Sequence, residues 1–194
     1  VQEYYNWDDT TNDWKGSSKW VYTYDSNNNQ TLQEYYNWDD SINDWKEKYK
    51  SVYSYDSNNN QTLEEYYNWD DSTNDWKVSS KGVYTYDSNN NPILEEYYNW
   101  DDTTNDWKVS SKGVYTYDSN NNRTLEEYYN WDDTTNDWRG IDIKQVFEFD
   151  SNNNIILHES YEWDDTINDW KGQSKDVTIY DSNNNLILNE SYYW

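Results

Sequence analysis

Cysteine and methionine are absent from this 194-residue chain, leucine, isoleucine and valine are scarce, and cationic residues are few. Without cysteine there are no disulfides and no thiolate metal sites, and the compartment is left open. Without methionine, even at position 1, the sequence reads as a fragment or a processed chain. Hydrophobic residues make up 33% of the chain and mean hydropathy is −1.46, too polar for an ordinary aliphatic core. No run is apolar enough to span a membrane and none reads as a signal peptide; if the protein is exported, its signal lies outside this segment. Fourteen Lys and Arg stand against 39 Asp and Glu, a net charge of −25. That balance argues against nucleic acid and anionic membrane surfaces as partners, since both are gripped by clustered cations.

What the chain has instead is aromatic: 23 Tyr, 14 Trp and 2 Phe, 20% of residues. Disordered chains of similar polarity are poor in aromatics. Each buried aromatic side chain removes about 150–250 Å² from water, so Tyr and Trp are expected to do the packing that aliphatics do elsewhere. So acidic a chain repels itself, and screening by cations should help it stay compact.

The sequence repeats. Asp-Ser-Asn-Asn-Asn starts at Asp25, Asp56, Asp87, Asp118, Asp150 and Asp181, at spacings of 31, 31, 31, 32 and 31 residues. A Trp pair seven apart recurs with it: Trp7/Trp14, Trp38/Trp45, Trp69/Trp76, Trp100/Trp107, Trp131/Trp138 and Trp163/Trp170. This defines one array over 1–194 with full units 1–31, 32–62, 63–93, 94–124, 125–156 and 157–187, and a partial seventh at 188–194, as in a piece of a longer array. In the third unit, Leu63 to Trp69 is rich in β-formers and free of Gly and Pro, and Trp76 to Tyr86 is a longer β-like run. Polar segments, Asp70–Asp75 and Asp87–Asn91, separate such runs, and consecutive Asn residues tolerate the left-handed backbone of tight hairpins. Short connections make neighbouring strands antiparallel. The expected fold is all-β: tandem antiparallel hairpins forming an elongated, twisted or spirally coiled sheet.

Comparing units separates two strand faces. Leu63, Glu65, Tyr67 and Trp69 recur as Leu157, Glu159, Tyr161 and Trp163, whereas Glu64, Tyr66 and Asn68 become His158, Ser160 and Glu162. Side chains alternate across a strand, so the constant face is expected to be the packed one. Lys81 and Val83 recur in the second strand as Lys50/Val52, Lys112/Val114, Lys144/Val146 and Lys175/Val177. A two- or four-residue loop centred on Asn58-Asn59 sets Val52 opposite Glu65 and Lys50 opposite Tyr67. Lys50 then lies diagonal to Glu65, and the repeated Glu reads as the ion-pair partner of the repeated Lys. Setting Trp69 opposite Trp76 conflicts in parity with that pairing, so either one turn has an odd residue count or the second strand has a bulge; the extra residue of unit five, between Trp138 and Asp150, places a bulge near Lys81-Gly82.

Tyr-x-Tyr-Asp-x-x-x-Asn, as in Tyr53 to Asn60, resembles the tyrosine-aspartate (YD) repeats of bacterial RHS-type proteins, most of all the longer aromatic variants of large exported Bacteroidota proteins. The resemblance covers all six full units. It departs in having Asn59 where the short repeat has Gly, and in a period longer by about one third. It implies β-hairpin arrays, often spirally coiled, on secreted or cell-surface chains, and no shared catalytic residue. Six units are too few for the closed shell of some relatives.

The polar residues offer few sites. Asp56-x-Asn58-x-Asn60 opens like a calcium loop, but Gln61 and Tyr67 stand where that loop needs Gly and Glu, and an Asn-rich turn is the plainer reading. The better cation candidate is Asp70, Asp71, Asn74 and Asp75, repeated as Asp101, Asp102, Asn105 and Asp106: clustered carboxylates repel, and a hard cation such as calcium would relieve them. Outward Tyr35, Tyr66, Tyr97 and Tyr128 form a candidate ladder for a glycan, against the plainer reading of cross-strand packing. Trp69, Trp76, Glu65, Lys81 and Val83 are structural. His158, the one His, is expected to be incidental, and no Ser/His/Asp set or Gly-rich phosphate loop can be assembled. The expectation is a non-enzymatic spacer or adhesive region, extracellular or at the cell surface, needing no cofactor, with a glycan or neighbouring repeats as partners. The rival readings are a carbohydrate-binding module and a calcium-stabilised adhesin.

Overall fold

The structure is a computed structural model that describes residues 1–194, the side chain of residue 142 excepted. It is all β. The strands are β1 (Gln2–Asp8), β2 (Asp13–Tyr24), β3 (Gln30–Asp39), β4 (Asp44–Tyr55), β5 (Gln61–Asp70), β6 (Asp75–Tyr86), β7 (Pro92–Asp101), β8 (Asp106–Tyr117), β9 (Arg123–Asp132), β10 (Asp137–Phe149), β11 (Ile155–Asp164), β12 (Asp169–Tyr180) and β13 (Leu186–Tyr193). These 13 strands hydrogen-bond in the order of the chain, as antiparallel neighbours. The chain falls into two compact units. The first comprises Val1–Val83 and Tyr98–Lys108, the second Tyr84–Tyr97 and Val109–Trp194.

Asparagine makes the turns. Twelve Asn residues, two per full repeat, have positive φ, and no glycine does. In the Asp56–Asn60 turn, Asn59 N–H donates to Asp56 O at 3.1 Å and Asp56 N–H to Asn60 O at 2.9 Å, with Asn59 left-handed at φ 66°. This is a tight turn closed by a left-handed residue, the place glycine usually takes. The Asp56 carboxylate completes it, accepting the backbone N–H of Asn58 at 2.8 Å and of Asn60 at 2.9 Å. The loop has five residues rather than two or four. Thr62 is then the extra residue of a small bulge, because Tyr55 pairs Gln61 while Ser54 pairs Leu63. The two offsets cancel, and Val52 faces Glu65 and Lys50 faces Tyr67 as the sequence arithmetic requires.

The other hairpin carries a bulge that resolves the parity conflict, two residues before the expected Lys81-Gly82. Tyr67 pairs Val78 and Tyr66 pairs Ser80, so the extra residue is Ser79, not Lys81-Gly82. Gly82 sits in regular pairing with Glu64. Ser17, Lys48 and Gln173 take the bulge position in other repeats. The bulged residue of this common type sits near the right-handed helical region, so it needs no glycine. In the fifth repeat the irregularity widens: from Ile141↔Tyr128 to Gln145↔Glu126, β10 advances four residues while β9 advances two. The inserted residue of the 32-residue spacing is absorbed there.

Neither unit has an enclosed core. Among the described residues, Tyr115, Ser51 and Ser160 are the buried side chains, and none is below 2% exposure. Strands pack against their sequence neighbours, with β2 near β4 and β10 near β12 as the next-nearest pairs. The constant face is the better covered one: Leu63, Glu65, Tyr67 and Trp69 are half-buried while Tyr66 and Asn68 are exposed. That cover comes sideways, from rings and long side chains on adjacent strands.

Candidate binding surface

On the constant face, Trp69 and Trp76 pair across the hairpin and meet edge-to-face at 5.2 Å, a favoured geometry for aromatic rings. Five further Trp pairs do the same at 5.2–5.5 Å. Leu63 lies opposite Val83, and Glu65 opposite Lys81. The lysine then reaches onward. Lys81 Nζ lies 4.9 Å from the Tyr98 ring and 4.5 Å from the Trp107 ring, both in the next hairpin. Lys50 sits likewise over Tyr67 and Trp76, and Lys112 over Tyr129 and Trp138. Each such cation–π contact is worth about 0.5–2 kcal/mol. The diagonal Lys50–Glu65 pair gives way to this arrangement, because Lys50 faces Glu34 directly. Ion pairs between opposed Lys and Glu do form as Lys19–Glu3 at 3.6 Å, Lys144–Glu127 at 2.7 Å and Lys175–Glu159 at 2.9 Å. Two of these glutamates also accept from tyrosine: Tyr5 Oη donates to Glu3 at 2.6 Å and Tyr161 Oη to Glu159 at 2.7 Å; Glu65 accepts likewise from Tyr67 Oη at 2.9 Å. The Tyr161 bond first, then Lys175, holds the Glu159 carboxyl below its ordinary range.

At the rims, the candidate cation ligands are each engaged separately. Asp70 accepts from Ser72 N at 2.8 Å and Ser72 Oγ at 2.6 Å, and those bonds depress its pKa. Asp71 pairs with Lys46 of the preceding hairpin at 2.9 Å. Asn74 is the left-handed turn residue, and Asp75 accepts from Trp76 N at 2.7 Å. The copy repeats this: Asp101 accepts from Thr103 N at 2.8 Å, Asp102 pairs with Lys77 at 2.7 Å, Asn105 has φ 55°, and Asp106 accepts from Trp107 N at 2.7 Å. Among the described residues no three acidic, His or Cys side chains converge on a point that could hold a metal ion. The opposite rim is tied by carboxamides: Asn29 Nδ2 donates to Asn59 Oδ1, and Asn91 Nδ2 to Asn121 Oδ1, both at 2.9 Å.

The variable face separates the candidate tyrosines. Tyr66 is flanked by Ser51 and Ser80, and Tyr128 by Gly113 and Ile141, so small or aliphatic residues interrupt the ladder. Tyr66 is 43% and Tyr97 39% exposed, and Tyr97 Oη donates to Glu95 at 3.1 Å. At Tyr35 the row of rings is continuous, between Trp20 and Tyr49. Trp20 and Tyr49 break the repeat instead of following it, so a comparison of what recurs does not select them. His158 stacks on Phe147 at 4.7 Å with Nδ1 3.6 Å from Asp176.

No family model matches this sequence, and no curated protein does. Solved structures match. One is a protein of unknown function from Bacteroides fragilis, 21% identical with TM-score 0.54, over 67% of this chain and 91% of that one. The likeness is one of fold. Two DUF3836 family proteins, from Bacteroides vulgatus and Parabacteroides distasonis, are 22% and 15% identical, each with TM-score 0.39. They cover 46% and 48% of this chain and 89% and 84% of their own.

Proposed function

We propose that the chain is a non-enzymatic structural spacer or adhesive repeat region of an exported, surface-displayed protein. One observation carries this reading: the same contacts join successive hairpins. A lysine of one hairpin lies over the Tyr and Trp rings of the next, and a rim Lys or Arg pairs with the next turn's Asp, as in Lys15–Asp40 and Arg139–Asp165. Contacts that link one hairpin to the next let units be added without redesign. The resemblance of Tyr53 to Asn60 to tyrosine-aspartate repeats supports a place outside the cell. Excising 63–93, or 63–124, from the full chain tests the spacer role. Each lost unit removes two strands, so the end-to-end span measured by X-ray scattering should fall by about 10 Å per unit, with strand content kept. A span indifferent to unit number, or unfolding when a single unit is lost, would sink the proposal.

A further inference from the structure

Aromatic residues interrupt the repeat where its first two units meet. Just before the recurring Val, units two to four carry Ser51, Gly82 and Gly113, and unit one carries Trp20. Just before the recurring Lys, units one, three and four carry Ser18, Ser80 and Ser111, and unit two carries Tyr49. The strand needs neither ring, since β6 forms with Ser80 and Gly82 in those places. The register brings both rings to Tyr35: Trp20 lies opposite it on β2 and Tyr49 opposite it on β4. Centroid distances are 4.5 Å for Trp20–Tyr35 and 4.7 Å for Tyr35–Tyr49. The row ends in carboxamides, Gln2 beyond Trp20 and Asn68 beyond Tyr49. Tyr22 lies parallel to the Trp20 ring at 6.4 Å.

The fourth unit shows what happens without the tryptophan. Tyr115, the counterpart of Tyr22, lies over Gly113, where an added Cβ would come within 2.6 Å of Tyr115 Oη. Its ring is 6% exposed and its hydroxyl donates to Glu95 at 3.3 Å and Tyr128 at 3.4 Å. In unit one Trp20 occupies that space. Tyr22 stands clear, and the polar tips of Trp20, Tyr22, Tyr35 and Tyr49 have no hydrogen-bond partner among the described residues. The phenols are close enough to one another that burial, then the Tyr35 and Tyr22 hydroxyls, raise the Tyr49 pKa. Tyr49 is 39% exposed. None of Gln2, Trp20, Tyr22, Tyr35, Tyr49 and Asn68 is charged, in a chain where 27% of residues are.

We propose that Trp20, Tyr22, Tyr35 and Tyr49 form a binding site for a neutral saccharide. The rings offer apolar surface to the C–H side of a sugar, and the phenols, the indole N–H and the flanking carboxamides offer donors and acceptors to its hydroxyls. An acidic glycan would meet a chain of net charge −25 with no lysine in the row, and a cationic ligand would find no carboxylate there. The site is independent of the spacer role, because it resides in one pair of units.

The test is affinity electrophoresis of the full chain in native gels containing starch, xyloglucan or galactomannan, with polygalacturonate as the acidic control. The variants are Tyr49→Ser alone and Trp20→Gly with Tyr49→Ser, which install the residues units three and four already carry. Tyr97→Ser is the ring-removal control. At least one neutral polysaccharide should retard the native chain. Affinity should fall about tenfold in the single variant and further in the double one, with Tyr97→Ser unaffected and circular dichroism unchanged. Retardation by none of the neutral polymers, by polygalacturonate alone, or equally for the double variant would overturn the proposal. So would a dimer, seen by sedimentation, that disappears with Trp20 and Tyr49, since the rings would then be joining two copies of the chain.

Discussion

At the scale of single residues, this chain replaces glycine with asparagine and aliphatic carbon with phenol. A left-handed residue other than Gly costs about 1–2 kcal/mol, and Asn recovers part of that through its short polar side chain. Asn59→Ala should therefore lower the free energy of unfolding by about 1 kcal/mol, and Asn59→Gly by much less. Denaturant midpoints check this, and equal losses would mean that the Asn59 side chain, not its φ, matters. The phenols give an alkaline limit. Tyr36 donates to Glu34 at 3.0 Å, and burial, then that bond, push its pKa from 10 up to about 12. Neutral Tyr36 is thus favoured in the folded state. Its contribution is whole below the unfolded pKa near 10 and is lost as pH rises through about 12. Thermal stability should fall across that window, and Tyr36→Phe should fall less steeply there. Identical pH profiles for the two proteins would assign the alkaline loss to other groups.

At the scale of strands and hairpins, a sequence comparison between units does much of the work. Register, strand count and the need for a bulge follow from counting residues between Trp69, Trp76 and Lys81. The location of the bulge does not, because the residue that bulges is an ordinary Ser, Lys or Gln. The reach of Lys81 was also hidden: its ammonium lies over Tyr98 and Trp107 in the next hairpin, and no single hairpin contains that contact. The row of rings at Tyr35 was hidden for the opposite reason. Attention to what recurs selects Tyr35, Tyr66, Tyr97 and Tyr128 and passes over Trp20 and Tyr49, which occur once each at their positions. Variation among the units matters at Gly140 too, where units one and six also carry Gly, as Gly16 and Gly172. Units three and four place Val78 and Val109 at its position, yet Trp163 and Trp170 lie so close to Gly140 that an added Cβ would come within 2.7 Å of Trp170 Cζ2. Gly140→Val, which installs the residue that units three and four carry, should cost about 1–3 kcal/mol through overpacking. Thermal denaturation of the variant is the measurement, and a neutral result would show that the two indoles can swing aside to admit the added side chain.

At the scale of the whole molecule, long-range repulsion competes with short-range pairing. The net charge is −25, and many Asp residues sit at the turns. The rim pairs that offset this, such as Lys46–Asp71 at 2.9 Å and Lys77–Asp102 at 2.7 Å, are exposed, and solvent screening leaves them little weight. Neighbouring turns on one rim are two strands apart, about 10 Å, which is close to the Debye length at 0.1 M salt. Modest salt therefore screens turn-to-turn repulsion strongly and contact pairs less, so stability should rise with ionic strength and then level off. The identity of the cation decides whether anything further is present. A specific site would add RT ln(1 + [L]/Kd), about 1.4 kcal/mol at tenfold over Kd, for that ion alone. The turn geometry provides no such term, because Asp70 is held by Ser72, Asp71 by Lys46 and Asp75 by the Trp76 N–H. Melting temperatures in CaCl₂, MgCl₂ and NaCl at matched ionic strength should then coincide. A separate rise in calcium that disappears on Asp71→Asn and Asp102→Asn together would reinstate a metal site, and would require Lys46 and Lys77 to yield their aspartates to the ion.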